Sequence, residues 1–169
     1  CPVVPGRFEV VTREPALVAV DYAHTPDALA RTCDAARALA GQKRVIVVFG
    51  AGGGADPEKR EPMGRAVGQR ADVAIVTNDN PRREDPRFIA KAVARGAERG
   101  GRAYVLTELD RRAAIRQALE RSKPGDVVVV AGKGHERGQT VGDETLPFSD
   151  AEEALTRPPS SGTRVGIRP

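Results

Sequence analysis

Within four residues, Asp79-Asn80-Pro81-Arg82 sets an acid, an amide, a stiff proline and a guanidinium side by side. The tetrad directly follows the apolar run 73–76, where a buried strand would hand its chain to a protein rim. Pro81 stiffens that exit and removes a backbone donor. Arg82 offers a planar fork suited to a two-point grip on a carboxylate or phosphate. A second polar cluster, Gly132-Lys133-Gly134-His135-Glu136, follows the apolar run 127–131. Glu136 is the natural acidic counterpart of Arg82, and opposite charges at two strand ends describe a pocket for a zwitterion.

Three more clusters have chemistry to offer. Asp21 ends an apolar run, where an unpaired carboxylate would be costly. A ribose hydroxyl pair or a helix-capping donor would satisfy it. Gly50-Ala51-Gly52-Gly53-Gly54-Ala55 matches the loose Gly-x-Gly-x-x-Gly/Ala pattern, in which glycines let backbone amides approach a phosphate. A plain turn is the competing reading, because two strands and a helix precede this loop. The absence of Gly-Lys-Ser/Thr excludes an ordinary P-loop within the chain. Lys59 and Arg60 either neutralise phosphate oxygens beside the glycine loop or solvate a helix start. His24 and His135 are the two histidines, and Cys1 and Cys33 the two cysteines. Their spacing fits no metal site, so metal ligation by this chain is not expected.

These clusters need elements to hold them, and the sequence supplies an alternation. Short β-prone runs at 8–11 and 17–20 flank the turn signal Glu14-Pro15. Apolar residues at helical spacing fill 27–40, with Thr25 as N-cap, Pro26 at the first helical position and Gly41 as the stop. The continuous apolar run 45–49 reads as a strand buried on both faces. Helices at 62–70, 86–98 and 111–121 then alternate with strands at 73–76, 103–106 and 127–131, and a hairpin around Gly142-Asp143 is expected over 140–148. Asp85-Pro86, Thr107 and Asp110 supply helix-start chemistry. This βαβα order predicts an α/β fold: a Rossmann-like three-layer αβα sandwich with a mostly parallel sheet of about six strands and a short terminal hairpin. In such sheets ligands bind beyond the carboxyl ends of the strands, and every polar cluster falls at one of those ends.

At 169 residues the chain is read as one domain, residues 7–155, behind a linker at 1–6 and ahead of a disordered tail at 156–169. Aromatics make up 4% with no tryptophan, so the core must rest on Val, Ile, Leu and Ala. The formal charge of +4 suits a small anionic ligand. Basic residues are scattered among acids with no long run, which argues against a nucleic-acid partner. No apolar stretch approaches the roughly 20 residues of a membrane span, and the start has no signal-peptide pattern. Two thiols without a framework point to the cytoplasm. The opening Cys1-Pro2, with no methionine, reads as a piece of a longer protein.

Taken together, five ordered strings resemble one family. These are Asp21-Tyr22-Ala23-His24-Thr25-Pro26-Asp27-Ala28-Leu29, Phe49-Gly50-Ala51-Gly52-Gly53, Lys59-Arg60 with Met63-Gly64, Asp79-Asn80-Pro81-Arg82 and Gly132-Lys133-Gly134-His135-Glu136. They are similar to the C-terminal domain of Mur ligases, and among these to the ligases that add the third peptide residue of the peptidoglycan precursor. The resemblance implies an ATP-dependent amide-bond ligase with N-terminal and central domains elsewhere in the same protein. UDP-MurNAc-L-Ala-D-Glu and a diamino acid would be its substrates, joined through an acyl-phosphate. ATP and Mg2+ would be held mainly by the central domain, and this domain alone would be inactive. Arg7 would reach the ATP phosphates, Asp21 the ribose, Tyr22 and His24 the nucleotide side, and Lys59 a further phosphate oxygen. Asp79, Asn80, Pro81, Arg82, Gly132 and Glu136 would bind the amino acid.

Two departures bear on which amino acid. The arginine that diaminopimelate-adding members carry in the glycine loop is Ala55 here, and Glu61 adds a negative charge nearby. Arg82 favours meso-diaminopimelate, and Ala55 leaves L-lysine and L-ornithine open. A cyanophycin- or folylpolyglutamate-type closing domain is the alternative within the wider superfamily. A nicotinamide-dependent oxidoreductase would rest on the glycine loop alone, and a non-catalytic amino-acid-binding module would need no other domain.

Overall fold

The buried central strands form where the chain runs continuously apolar, and the helices after Thr25, Asp85 and Asp110 where these capping residues precede a helical apolar stripe. A computed structural model describes residues 6–156, so all but the last residue of the expected linker at 1–6 and all but the first of the expected tail at 156–169 lie outside the described residues. Strands β1 (Glu9–Thr12), β2 (Leu17–Asp21), β3 (Val45–Phe49), β4 (Val73–Val76), β5 (Tyr104–Thr107) and β6 (Val127–Ala131) make one six-stranded sheet. Its order is β1-β2-β6-β3-β4-β5, with β1 antiparallel and every other pairing parallel. Strands β7 (Gly138–Val141) and β8 (Glu144–Pro147) pair as the separate terminal hairpin. The expected three-layer fold is the one observed.

Helices α1 (Pro26–Ala40), α2 (Arg60–Gly68) and α3 (Pro86–Gly100) cover one face of the sheet, and α4 (Arg111–Arg121) with α5 (Asp150–Leu155) the other. β6 shows why its sequence has no polar alternation. Val127, Val129 and Ala131 point into the α1–α3 layer, while Val128 and Val130 point into the α4–α5 layer. The caps are the expected ones: Thr25 Oγ1 accepts from the Ala28 N–H, and the carboxylates of Asp85 and Asp110 accept from Arg87 and Arg112.

Two local expectations shift. α2 begins at Arg60 and not at Pro62, because the missing N–H of Pro62 falls in the first turn, where it costs no bond. Residues 150–155, expected only as the domain's end, form α5 with Ser149 Oγ accepting from the Glu152 N–H. The insertion of β6 between β2 and β3 sets the carboxyl ends of β2, β6, β3 and β4 side by side. That is the arrangement in which open α/β sheets bind ligands.

Candidate active site

The loops leaving those four strands meet around a cavity of about 280 Å³. Eight of the eleven expected site residues line it: Tyr22, His24, Lys59, Asp79, Asn80, Arg82, Gly132 and Glu136. Arg82 reaches it in an unusual posture. Its φ of 53° lies in the left-handed region that side chains rarely adopt. Backbone bonds to the hairpin hold it there, with the Arg82 N–H donating to the Thr140 carbonyl and the Gly142 N–H donating to the Arg82 carbonyl. Its guanidinium Nη1 donates to the Gly53 carbonyl at 2.8 Å. A held left-handed residue at a strand end is a signature of functional loops.

Asn80 and Glu136 come together across the cavity, the amide Nδ2 donating to Glu136 Oε2 at 3.3 Å. Asp79 is buried, and its Oδ1 accepts no hydrogen bond. Lys133 Nζ lies 3.2 Å from it, an ion pair off the hydrogen-bonding angle. The rim therefore mixes cations (Lys59, Arg60, Arg82) with anions (Asp56, Asp79, Glu136), as the zwitterion reading requires.

Asp21, Arg7 and Pro81 are not part of that lining. The Asp21 carboxylate is engaged inside the domain, Oδ2 accepting from the Phe8 N–H and Oδ1 from the Ala23 N–H and Thr32 Oγ1. These three donors belong to the loop before β1, to the turn after β2 and to the side chain of Thr32 within α1. The Arg7 guanidinium stands 6.0 Å from the centroid of the Tyr22 ring, within cation–π range. Tyr22 packs edge-on against His24 with centroids 4.6 Å apart, and His24 Nδ1 lies 2.7 Å from the Tyr22 carbonyl. A carbonyl only accepts, so Nδ1 carries the proton in that bond and Nε2 faces outward. Pro81 is buried against the glycine loop.

The glycine loop packs closely against the chain that follows β4. A Cβ on Gly50 would collide with the Thr77 carbonyl, and one on Gly53 with the Pro81 carbonyl. The Gly53 N–H donates to the Asn80 carbonyl, and the Gly54 N–H to Glu84 Oε1. These glycines let two backbones touch, so the loop braces the Asp79–Arg82 tetrad. Hydrogen bonds from Gly54 and then from Arg60 hold the Glu84 carboxyl below the usual glutamate range. Arg60 itself is buried at the cavity's edge. Glu61, expected to charge the site negatively, instead faces α3 and pairs with Arg95 and Arg99. Ala55 does line the cavity.

Three polar residues beneath the site had no role in the sequence reading. Arg111 and Asp150 are fully buried and meet through two bonds, Nε to Oδ1 at 2.8 Å and Nη2 to Oδ2 at 2.7 Å. Arg111 also donates to the carbonyls of Asn78 and Ala131, tying together the ends of β4 and β6. Burial works against its charge, and the Asp150 carboxylate overrides this to push its pKa above the ordinary value. One signal was available: a cation at the first position of a helix opposes the macrodipole and asks for a reason. Lys133, the third, is likewise fully buried. Cys33 offers no nucleophile, since burial pushes its thiol up to about 12. Among the described residues no three His, Cys, Asp or Glu side chains form a metal cage.

Comparison with known proteins gives this fold a family. The sequence profile of the family described as "Mur ligase, glutamate ligase domain" matches residues 6–134. A UDP-N-acetylmuramoyl-L-alanyl-D-glutamate–2,6-diaminopimelate ligase of Lawsonia intracellularis is 50% identical over 148 residues, 87% of this chain and 30% of that protein. The chain thus spans about 30% of the length of the curated relatives it matches. A solved structure of a ligase with the same name superposes with a TM-score of 0.82 at 38% identity, over 91% of this chain and 31% of that one. A folylpolyglutamate synthase/dihydrofolate synthase from Yersinia pestis, complexed with AMPPNP and a manganese ion, superposes with a TM-score of 0.61 at 26% identity, over 77% of this chain and 28% of that one.

Proposed function

This chain belongs to the Mur ligase family, whose glutamate ligase domain it matches, and from that premise we propose that it is the amino-acid-binding domain of an ATP-dependent ligase. The whole enzyme joins 2,6-diaminopimelate to UDP-MurNAc-L-Ala-D-Glu, as the relatives at about half identity are named to do. The observation that carries this reading is the convergence of Arg82, Asn80 and Glu136 on one cavity. Opposite charges in one pocket match the carboxylate and ammonium of an amino acid.

In the reaction, the γ-phosphate of ATP is transferred to the D-glutamate carboxylate. The amine of the diamino acid then attacks the acyl carbon, inorganic phosphate leaves and the amine sheds a proton. Arg82 and the Asn80 amide take a carboxylate of the incoming amino acid. Glu136 and Asp79 take an ammonium, with the Gly132 backbone beside them and Pro81 fixing the tetrad's course. This aims the attacking amine and converts a bimolecular encounter into an ordered one. Lys59 and Arg7 face the phosphates, and the Tyr22 ring, with His24 packed edge-on against it, lies on the nucleotide side. Asp21 anchors Phe8 and Ala23, and so presents Arg7 and Tyr22. Closure of this domain onto the others would exclude water from the acyl-phosphate. The Mg2+ that accompanies ATP finds no ligand set among the described residues, and its ligands are assigned to the rest of the enzyme.

The test is ADP release by the intact enzyme with UDP-MurNAc-L-Ala-D-Glu, ATP and, separately, meso-diaminopimelate, L-lysine or L-ornithine. The expected result is the highest kcat/KM with meso-diaminopimelate. Release that depends on none of the three overturns the proposal.

A further inference from the structure

We propose that Lys133 is a positioning residue for the amino-acid site: its buried ammonium fixes how Asn80 and Glu136 face the cavity. This rests on the reading of the cavity as an amino-acid site. Lys133 is fully buried beneath the cavity and is not among its lining residues. Its Nζ donates to Asn80 Oδ1 at 2.7 Å and to the Gly138 carbonyl at 3.0 Å. Two carboxylates stand within 4 Å of the same nitrogen, Asp79 Oδ1 at 3.2 Å and Glu136 Oε2 at 3.7 Å. A buried ammonium is tolerated only when paired and hydrogen-bonded in this way.

The consequence for Asn80 is directional. Its Oδ1 accepts both from Lys133 Nζ and from the Thr140 N–H. A flipped amide would set its NH2 against two donors. The Nδ2 is therefore obliged to face Glu136 and the cavity, where it can donate to a substrate carboxylate. With Lys133 gone, the Thr140 N–H alone would hold the amide.

Glu136 is held from two directions by the same residue. The Glu136 N–H donates to the Lys133 carbonyl, closing the turn, while the ammonium attracts the carboxylate. Asp79 and Glu136 line one cavity, and the Lys133 ammonium stands within 4 Å of both carboxylates, where they can receive a substrate ammonium. The hairpin joins the same junction, through the Gly138 carbonyl on Lys133 and Gln139 Nε2 donating to the Asp79 carbonyl. One lysine thus bears on an amide, a carboxylate and the hairpin whose backbone bonds hold Arg82.

The test compares Lys133→Met with the double variant Lys133→Met/Asp79→Asn in the intact enzyme. KM for meso-diaminopimelate, KM for ATP and the melting temperature are measured for each. Loss of hydrogen bonds to charged groups predicts an amino-acid KM raised about 10- to 100-fold in both variants. The KM for ATP should stay within about twofold. The double variant removes the carboxylate stranded in Lys133→Met, so it regains melting temperature, and because Asp79 itself faces the substrate ammonium its amino-acid KM is read against that of Asp79→Asn alone, which it should exceed about 10-fold or more. A double variant whose amino-acid KM equals that of Asp79→Asn alone overturns the proposal, since Lys133 would then merely neutralise Asp79. Equal rises in both KM values overturn it as well. A wild-type enzyme that uses no diamino acid is a different result, and refutes the functional reading on which the proposal stands.

Discussion

Asp150→Ala should be among the most damaging single changes in this domain, although Asp150 touches no ligand. It strands the Arg111 guanidinium at 0% exposure, with only the Asn78 and Ala131 carbonyls left to it. Removing one partner of a buried pair costs about 3–5 kcal/mol, because the remaining charge is uncompensated. For a chain of this size, each kcal/mol lowers Tm by about 2–4 °C, so a drop of about 6–20 °C is expected. The assay is thermal unfolding of the 169-residue chain followed by far-UV circular dichroism, with urea unfolding as a second measure. Arg111→Met/Asp150→Leu removes both charges and keeps apolar volume, and it should cost less than the single change. A loss below about 1 kcal/mol for Asp150→Ala would refute this reasoning. So would a double variant as unstable as the single one.

Gly53→Ala should destabilise the chain by about 1–3 kcal/mol, because its Cβ must displace the Pro81 carbonyl. Gly52→Ala has room and should change Tm little, and equal effects at both positions would contradict the packing account. Acid should weaken the fold through Asp126 and Asp72. Burial works to raise the pKa of each, and hydrogen bonds from Arg44 and the Lys123 N–H, or from the Val45 N–H and Arg37, override it and hold both below 3.8. A depressed folded pKa gives stability that is present above the unfolded value of 3.8 and lost as pH falls through the folded one. The urea midpoint should therefore hold steady from pH 7 to about 5 and fall below about 4. Asp126→Asn should shrink that fall, and an unchanged acid limb would count against the assignment.

Much of this molecule is legible in its sequence because the relevant physics is local. Four apolar runs bury on both faces, and Thr25-Pro26, Asp85-Pro86 and Asp110 start their helices with the expected caps. The alternation gives the fold class, and the polar strand ends give the site. What pairs with what across the sheet is not local, so the place of β6 between β2 and β3 is seen only in the structure. The backbone contacts of the glycine loop are non-local for a related reason. A glycine needed for backbone contact reads the same as one needed for a phosphate, and only the proximity of Thr77 and Pro81 separates them. Lys133 and Asp150 escape because nothing in sequence reports that a charge is buried, and Arg111 gave only the sign of a cation at a helix start. α5, at six residues, is too short to show a helical period.

The claim that Arg82 grips the amino acid is tested most directly by Arg82→Asn in the intact enzyme. Asparagine tolerates the left-handed backbone at φ 53°, so the substitution reads the loss of the guanidinium and not added strain. A lost charge-assisted contact is worth about 1.5–3 kcal/mol, or roughly 10- to 150-fold in KM for meso-diaminopimelate. The account predicts that rise with KM for ATP within about twofold of wild type. Equal rises for both substrates, or an unchanged KM for the amino acid, would contradict it.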